Sequence, residues 1–273
     1  MPRPQLTRSA RPATVSISAT NERGEPTATL IAGEHALTIY LDKREIVTLM
    51  TMGAAPEALV LGYLRNQRLV TDIAQIAAVQ VDWETDSAAV TTHAGNHDVD
   101  AQMQKRTVTT GCGQGTMFGD LMDSLDQMRM PEGGHLDATT LNTLLENVRQ
   151  QESVYKQAGA VHGCALANAA GAVLMFVEDV GRHNAVDAIA GQMWLEGLTG
   201  TDKIFYTTGR LTSEMVIKTA QMGIPFLVSR SGLTQMGHDI ATRLGLTMIG
   251  RAHGGRYLLF TGEQRFQRNP HDA

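Results

Sequence analysis

Apolar and polar residues alternate over positions 36–41 and 45–50, with Asp42, Lys43 and Arg44 between the two runs, which predicts a β-hairpin. Pro56 suits the first turn of a helix whose Leu59, Val60, Tyr63 and Leu64 share one face. Further strands are expected over 76–81, 87–92 and 99–109. Residues 1–20, rich in Pro, Ser, Thr and Arg, have no period and read as a flexible arm outside the fold. A glycine-studded stretch, TTGCGQGT at 109–116, breaks the pattern, and a Met-rich segment follows as far as Gly133 and Gly134. The boundary is expected there, between a smaller β-rich α+β domain over 21–134, carrying the TTGCGQGT loop, and a second domain over 135–273.

The second domain opens with Asp137 as N-cap of a helix in which Leu141, Leu144, Leu145 and Val148 recur at helical spacing. Strands over 162–168 and 173–177 face each other across Ala170 and Gly171, and a helix follows over 182–195. Strand and helix then alternate: 203–207, 213–222, 225–229, 234–244 and 247–251, with a last edge over 257–261. Such alternation implies an α/β domain whose largely parallel sheet is covered on both faces. Ligands in these sheets gather where strand ends meet helix starts.

Composition narrows the chemistry. At 273 residues, with 42% hydrophobic and 19% charged, the chain is ordinary globular material. Its formal charge of -5, from 23 basic and 28 acidic side chains, offers no global field for nucleic acid, so any phosphate site must be local. No apolar run is long enough for a bilayer, and the basic opening MPRPQLTRSARPA has no hydrophobic stretch after it, so a cytoplasmic protein without membrane partners is expected. The two cysteines, Cys112 and Cys164, exclude a disulfide framework and a four-cysteine zinc site.

Three strand-to-helix or strand-to-loop junctions carry more polar and basic residues than their lengths require. EDVGRHNAVD at 178–187 places two carboxylates, Gly181, Arg182, His183, Asn184 and Asp187 at a helix start, where amides and a guanidinium suit a phosphate. TTGRLTSEM at 207–215 offers Gly209 for close backbone approach and Arg210 for donors; the plain alternative is a capped helix with a Glu214–Lys218 surface pair. IGRAHGGRY at 249–257 surrounds Gly254 and Gly255 with Arg251, His253 and Arg256, a loop suited to a diphosphate or equally to a solvated hairpin turn. Cys112 lies among glycines, which is how a reactive thiol is presented, although a small-residue loop with an incidental cysteine has the same composition. The loop lacks the Gly-Lys-Ser/Thr ending of a P-loop. Cys164, in HGCALA, reads as a core thiol.

EDVGRHNAVD, TTGRLTSEM, the Lys218 helix, GIPFLVSRS and the final glycine-basic loop, in this order and spacing, resemble the FdhD/NarQ family of formate dehydrogenase accessory proteins. GEHALTIYLDKREIVTLMTMGAAPEALVLGYL resembles that family's N-terminal hairpin and helix. The resemblance implies a cytidine-deaminase-like three-layer αβα second domain, a homodimer, and transfer of sulfur from a cysteine desulfurase through a loop-cysteine persulfide. The recipient is bis-molybdopterin guanine dinucleotide, the cofactor of the formate dehydrogenase catalytic subunit, bound transiently. On this expectation Cys112 is the persulfide carrier. Gly181, Arg182, His183, Asn184, Asp187, Gly209, Arg210, Ser229, Arg251, Ala252, His253, Gly254, Gly255 and Arg256 hold the cofactor.

The sequence departs from the family at informative places. Members carry two loop cysteines two residues apart, whereas Cys112 is followed by Gly113, Gln114 and Gly115, so a partner thiol is missing. Gly232 and Leu233 replace Ala-Pro, Ala188 replaces a lysine, and Arg251 and His253 alter the final loop, which resembles a divergent, FdsC-type branch. The missing thiol favours the alternative of a chaperone that inserts the cofactor without transferring sulfur. A zinc deaminase is not expected, because Asn184 and Ala185 follow His183, and Gly209 and Arg210 stand where zinc-binding cysteines are required.

Overall fold

The computed structural model describes residues 3–95 and 133–268, together with 107–108, 115–116, 125, 128, 130 and 131. Its mixed α/β architecture is the expected class. By internal contacts the chain divides into two compact units: Met1–His97, Glu152–Gly163 and Glu178–Gly191 form one, and Asp98–Gln151, Cys164–Val177 and Gln192–Ala273 the other.

The first unit is built on a five-stranded sheet of order β1-β6-β7-β4-β5: β1 (Gln5–Leu6), β4 (His35–Leu41), β5 (Arg44–Thr51), β6 (Ile76–Asp82) and β7 (Ser87–Thr92). The expected hairpin is β4 and β5, and Asp42 and Lys43 turn it with φ of 46° and 71°, the mirror-image turn that matches strand twist. The Asp42 carboxylate accepts from Thr92 N and Oγ1 at 2.8 and 2.7 Å, which pins β7 alongside. Helix α1 (Pro56–Asn66) starts at its proline and is buried on nearly every side.

The expected flexible arm is instead part of the fold. β1 pairs with β6, and β2 (Thr14–Thr20) pairs with β3 (Pro26–Ala32) as a separate ribbon. Single side chains anchor the arm. Glu57 accepts from Thr7 Oγ1 and Ser9 N at 2.8 and 2.7 Å, Trp83 Nε1 donates to Ser9 O at 2.5 Å, and the Arg11 guanidinium lies 4.9 Å over the Trp83 ring.

Two short strands, β8 (Thr107–Val108) and β9 (Gly115–Thr116), pair antiparallel. The strand expected over 99–109 falls, apart from β8, outside the described residues, as does the TTGCGQGT loop with Cys112 apart from β9.

In the second unit, β10 (Leu136–Asp137) leads into α2 (Ala138–Gln150), capped as expected by Asp137, whose side chain accepts from Thr140 N at 2.6 Å. A short helix not legible in the sequence, α3 (Val154–Ala158), belongs to the first unit. The main sheet has the order β12-β11-β13-β14-β15-β16: β11 (His162–Ala167), β12 (Val173–Asp179), β13 (Ile204–Thr207), β14 (Phe226–Ser229), β15 (Thr247–His253) and β16 (Arg256–Thr261). β13, β14 and β15 are parallel, and β11 and β16 flank them antiparallel. Leu136, Leu141 and Leu144 pack with Ala165, Ile204, Tyr206, Phe226, Val228 and Ile249 as one core, closed by Phe266 of β17 (Phe266–Gln267). The alternate residues Phe205, Leu227 and Met248 are also fully buried, so both sheet faces are covered. Helix α4 (Arg182–Glu196) belongs to the first unit as far as Gly191, and helices α5 (Ser213–Gln221) and α6 (Gln235–Leu244) continue the alternation.

Candidate functional site

In the first unit the candidates lie where β12 ends and α4 begins. Polar character here serves first to bind the strand end internally. Glu178 accepts from Ser153 Oγ at 2.7 Å, Val154 N at 2.5 Å and Tyr155 N at 3.4 Å, so its carboxylate caps α3. Asp179, buried, accepts four bonds: Thr51 Oγ1 at 2.6 Å and Met52 N at 3.1 Å on one oxygen, Gly181 N at 3.0 Å and Asn184 Nδ2 at 2.8 Å on the other. Asn184 also donates to Met50 O at 2.7 Å, and Asp187 accepts from Asn66 Nδ2 at 2.7 Å. The strand end therefore uses both carboxylates internally, so its polarity is not in excess of what the fold requires there.

Burial pushes the Asp179 carboxyl above the ordinary aspartate range, against the pull of its four donors. An acid with a raised folded-state pKa holds its proton more firmly folded than unfolded. Its contribution to stability is thus greatest below the ordinary range and is lost as pH rises from there through the raised value. An amide at this position cannot accept from all four donors, so Asp179→Asn should cost about 1–3 kcal/mol. The melting-temperature gap between the native chain and Asp179→Asn should also narrow as pH rises through that window; thermal melts giving a constant gap would refute the assignment.

Arg182 and His183, both buried, open α4. Arg182 is only 6% exposed, yet its Nε and Nη2 have no hydrogen-bond partner, and it forms no ion pair among the described residues.

In the second unit three loops at the ends of the parallel strands are tied together. Ser229 Oγ donates to Gly209 O at 2.7 Å and accepts from Ser231 N at 2.9 Å. Leu211 N donates to Gly232 O at 3.0 Å, and Arg251 N to Ser231 O at 2.9 Å. Gly237 completes the arrangement, because a Cβ there would lie 2.7 Å from Leu211 O. The structure thus joins the segments of Gly209, Arg210, Ser229 and Arg251, with the exposed Arg230 on the middle loop. Beneath them burial pushes Tyr206 up to about 12, with Arg230 pulling the other way. Arg230 was not among the sequence candidates; a basic residue directly after the strand expected over 225–229 was the available signal.

In this unit the plain alternative for 207–215 is altered and the hairpin alternative for 249–257 is met. The Glu214–Lys218 pair is not on the surface: the groups are 3.8 Å apart with side chains 8% and 3% exposed. The final loop is a hairpin, since β15 continues to His253 and β16 starts at Arg256. Gly254 and Gly255, with φ of 57° and 78°, make the two-residue turn between them. Arg251, His253 and Arg256 are exposed and Ala252 is buried. Cys164 is fully buried, its Sγ 3.3 Å from Thr207 Oγ1. Among the described residues no group of three or more His, Cys, Asp or Glu is placed to hold a metal ion, and no helix is long and apolar enough to cross a membrane.

A family profile described as the FdhD/NarQ family matches residues 32–267. The "Sulfur carrier protein FdhD" of Listeria monocytogenes serotype 4b (strain F2365) is 31% identical over 237 residues, covering 86% of this chain and 90% of the relative. The protein of the same name from Bacillus subtilis (strain 168) is 27% identical over 235 residues, with 86% and 89% covered. A crystal structure from Desulfotalea psychrophila, assigned as a formate dehydrogenase accessory protein, superposes with a TM-score of 0.75 at 24% identity, covering 93% of this chain and all of that one, a likeness of fold.

Proposed function

The chain belongs to the FdhD/NarQ family, and on that premise we propose that it matures a molybdenum-dependent formate dehydrogenase by holding the bis-molybdopterin guanine dinucleotide cofactor as cargo. It acts in the cytoplasm as a homodimer and hands the cofactor to the dehydrogenase catalytic subunit. In transit the cofactor receives sulfur that a cysteine desulfurase has placed on Cys112. The observation that carries the reading is the reach of the family match, because residues 32–267 include every candidate position from Cys112 to Arg256. The tied strand-end loops support it: Arg210, Arg230 and Arg251 stand on adjacent segments at the edge where α/β sheets take ligands. Guanidinium forks there suit phosphate oxygens.

The test is the cargo itself. Full-length protein purified from cells that make the cofactor should release guanine nucleotide and pterin in equal amounts on denaturation, read by chromatography and pterin fluorescence. Absence of both would remove the cofactor from the reading. A second reading, an insertion chaperone without sulfur chemistry, is favoured by the single cysteine of GCGQGT. Mass spectrometry after incubation with a desulfurase and cysteine separates the two: a carrier gains one sulfur on Cys112, and a chaperone gains none.

A further inference from the structure

Among the described residues of the first unit, Arg182 has two buried side-chain nitrogens without a hydrogen-bond partner. Burying a guanidinium without a partner costs several kcal/mol, so folded chains ordinarily pair it. The carboxylates nearest along the chain do not do so. Glu178 is engaged by Ser153 and the start of α3, Asp179 by four donors, and Asp187 by Asn66. Arg182 is left at the first position of a 15-residue helix, where backbone amides and the helix dipole add positive potential. The two unpartnered nitrogens, Nε and Nη2, lie on one edge of the guanidinium plane, and their N–H bonds leave it in parallel. That edge is the fork which grips two oxygens of one oxyanion.

We infer that Arg182 and the start of α4 form an oxyanion seat that takes a phosphate-type group through the Nε–Nη2 edge. The inference rests on the cofactor reading where the phosphate is taken to belong to the cargo's pyrophosphate linkage; free inorganic phosphate or pyrophosphate satisfies the same chemistry. The neighbouring carboxylates are engaged by other donors, so the Nε–Nη2 edge is free to take an anion.

The experiment titrates the full chain with inorganic phosphate, pyrophosphate, guanosine diphosphate and acetate, by calorimetry and thermal melting, in the native sequence, Arg182→Gln and Arg182→Lys. Pyrophosphate and guanosine diphosphate should raise the native melting temperature, and Arg182→Gln should weaken them about 10- to 100-fold. Arg182→Lys should restore only part, because an ammonium has no fork. Without ligand, Arg182→Gln should melt no lower than the native chain, since it removes an unpaired buried charge, whereas a structural arginine would lower the melt. Equal pyrophosphate affinity in the native and Gln chains overturns the seat, as does an unfolded Gln variant beside a Lys variant of undiminished affinity. Protection by acetate equal to that by pyrophosphate overturns the phosphate assignment. If Arg182→Gln still co-purifies with full guanine and pterin, the seat fails and the cofactor reading stands. If no cofactor co-purifies but pyrophosphate binding depends on Arg182, the seat stands and the cofactor reading fails.

Discussion

Gly62→Ala is expected to destabilise the first unit by roughly 3 kcal/mol or more, although glycine-to-alanine inside a helix ordinarily stabilises by about 1 kcal/mol. The sign reverses because α1 meets the first turns of α4 backbone to backbone. A Cβ on Gly62 would lie 1.6 Å from Asp187 O and 2.8 Å from Gly191 N, and one on Gly191 would lie 1.9 Å from Ala58 O. No side-chain rotation relieves contacts with main-chain atoms, so the helices must separate. Separation would pull on the Asn66–Asp187 bond at 2.7 Å and on Arg65 Nη1, which donates to Ala190 O at 3.0 Å. Arg65 is itself poorly solvated, its pKa drawn down to about 10 by burial. At about 2–4 °C per kcal/mol for a chain of this size, the melting temperature should fall by roughly 10 °C. Gly232→Ala is the control, because a Cβ there meets nothing within 4 Å. Equal melting temperatures for Gly62→Ala and the native chain would show that the helices do not approach as described.

That crossing also marks what the sequence could convey. Hairpins and strands whose faces differ, such as β4 with β5, were legible because alternation records burial on one side, and Asp137 announced α2 by its capping chemistry. The sheet of the second unit was legible from its rhythm of short apolar runs and helices. Failure came where burial has no sidedness or where one side chain holds a segment. From Arg182 to Gly191 every residue of α4 is buried, so its polar residues carry no period that separates structural from ligand-binding duties. The β2–β3 ribbon is exposed on both faces, which leaves no alternation, and its neighbours 7–11 are fixed by Glu57 and Trp83, distant in sequence.

The candidate site divides in the same way. Residue types at the junctions were legible, but their duties were not. Glu178, Asp179 and Asp187 carry charge that the fold consumes internally, while Arg182 carries charge that it does not. A sequence presents all four as equally polar. Only the partner of each group distinguishes a structural carboxylate from a waiting cation.

Cys112→Ala is expected to reduce formate dehydrogenase activation to background while guanine nucleotide and pterin still co-purify. The proposed transfer needs a thiolate: Cys112 sulfur would attack the outer sulfur of the desulfurase persulfide, the donor's sulfur–sulfur bond would break, and the donor thiolate would leave with the bonding pair. Cys112 then carries the new sulfur–sulfur bond. A serine hydroxyl is not ionised near neutral pH and does not attack sulfane sulfur, so Cys112→Ser should fail equally. Gly113, Gln114 and Gly115 supply no thiol beside it. No intramolecular attack can therefore close a disulfide and expel the carried sulfur as sulfide, and the persulfide should outlast that of a loop with two cysteines. Activity of the co-produced dehydrogenase, measured with cargo content, separates the outcomes. Activation that survives Cys112→Ala would assign this chain to cofactor insertion alone, since Cys164, the remaining cysteine, is sealed in the core.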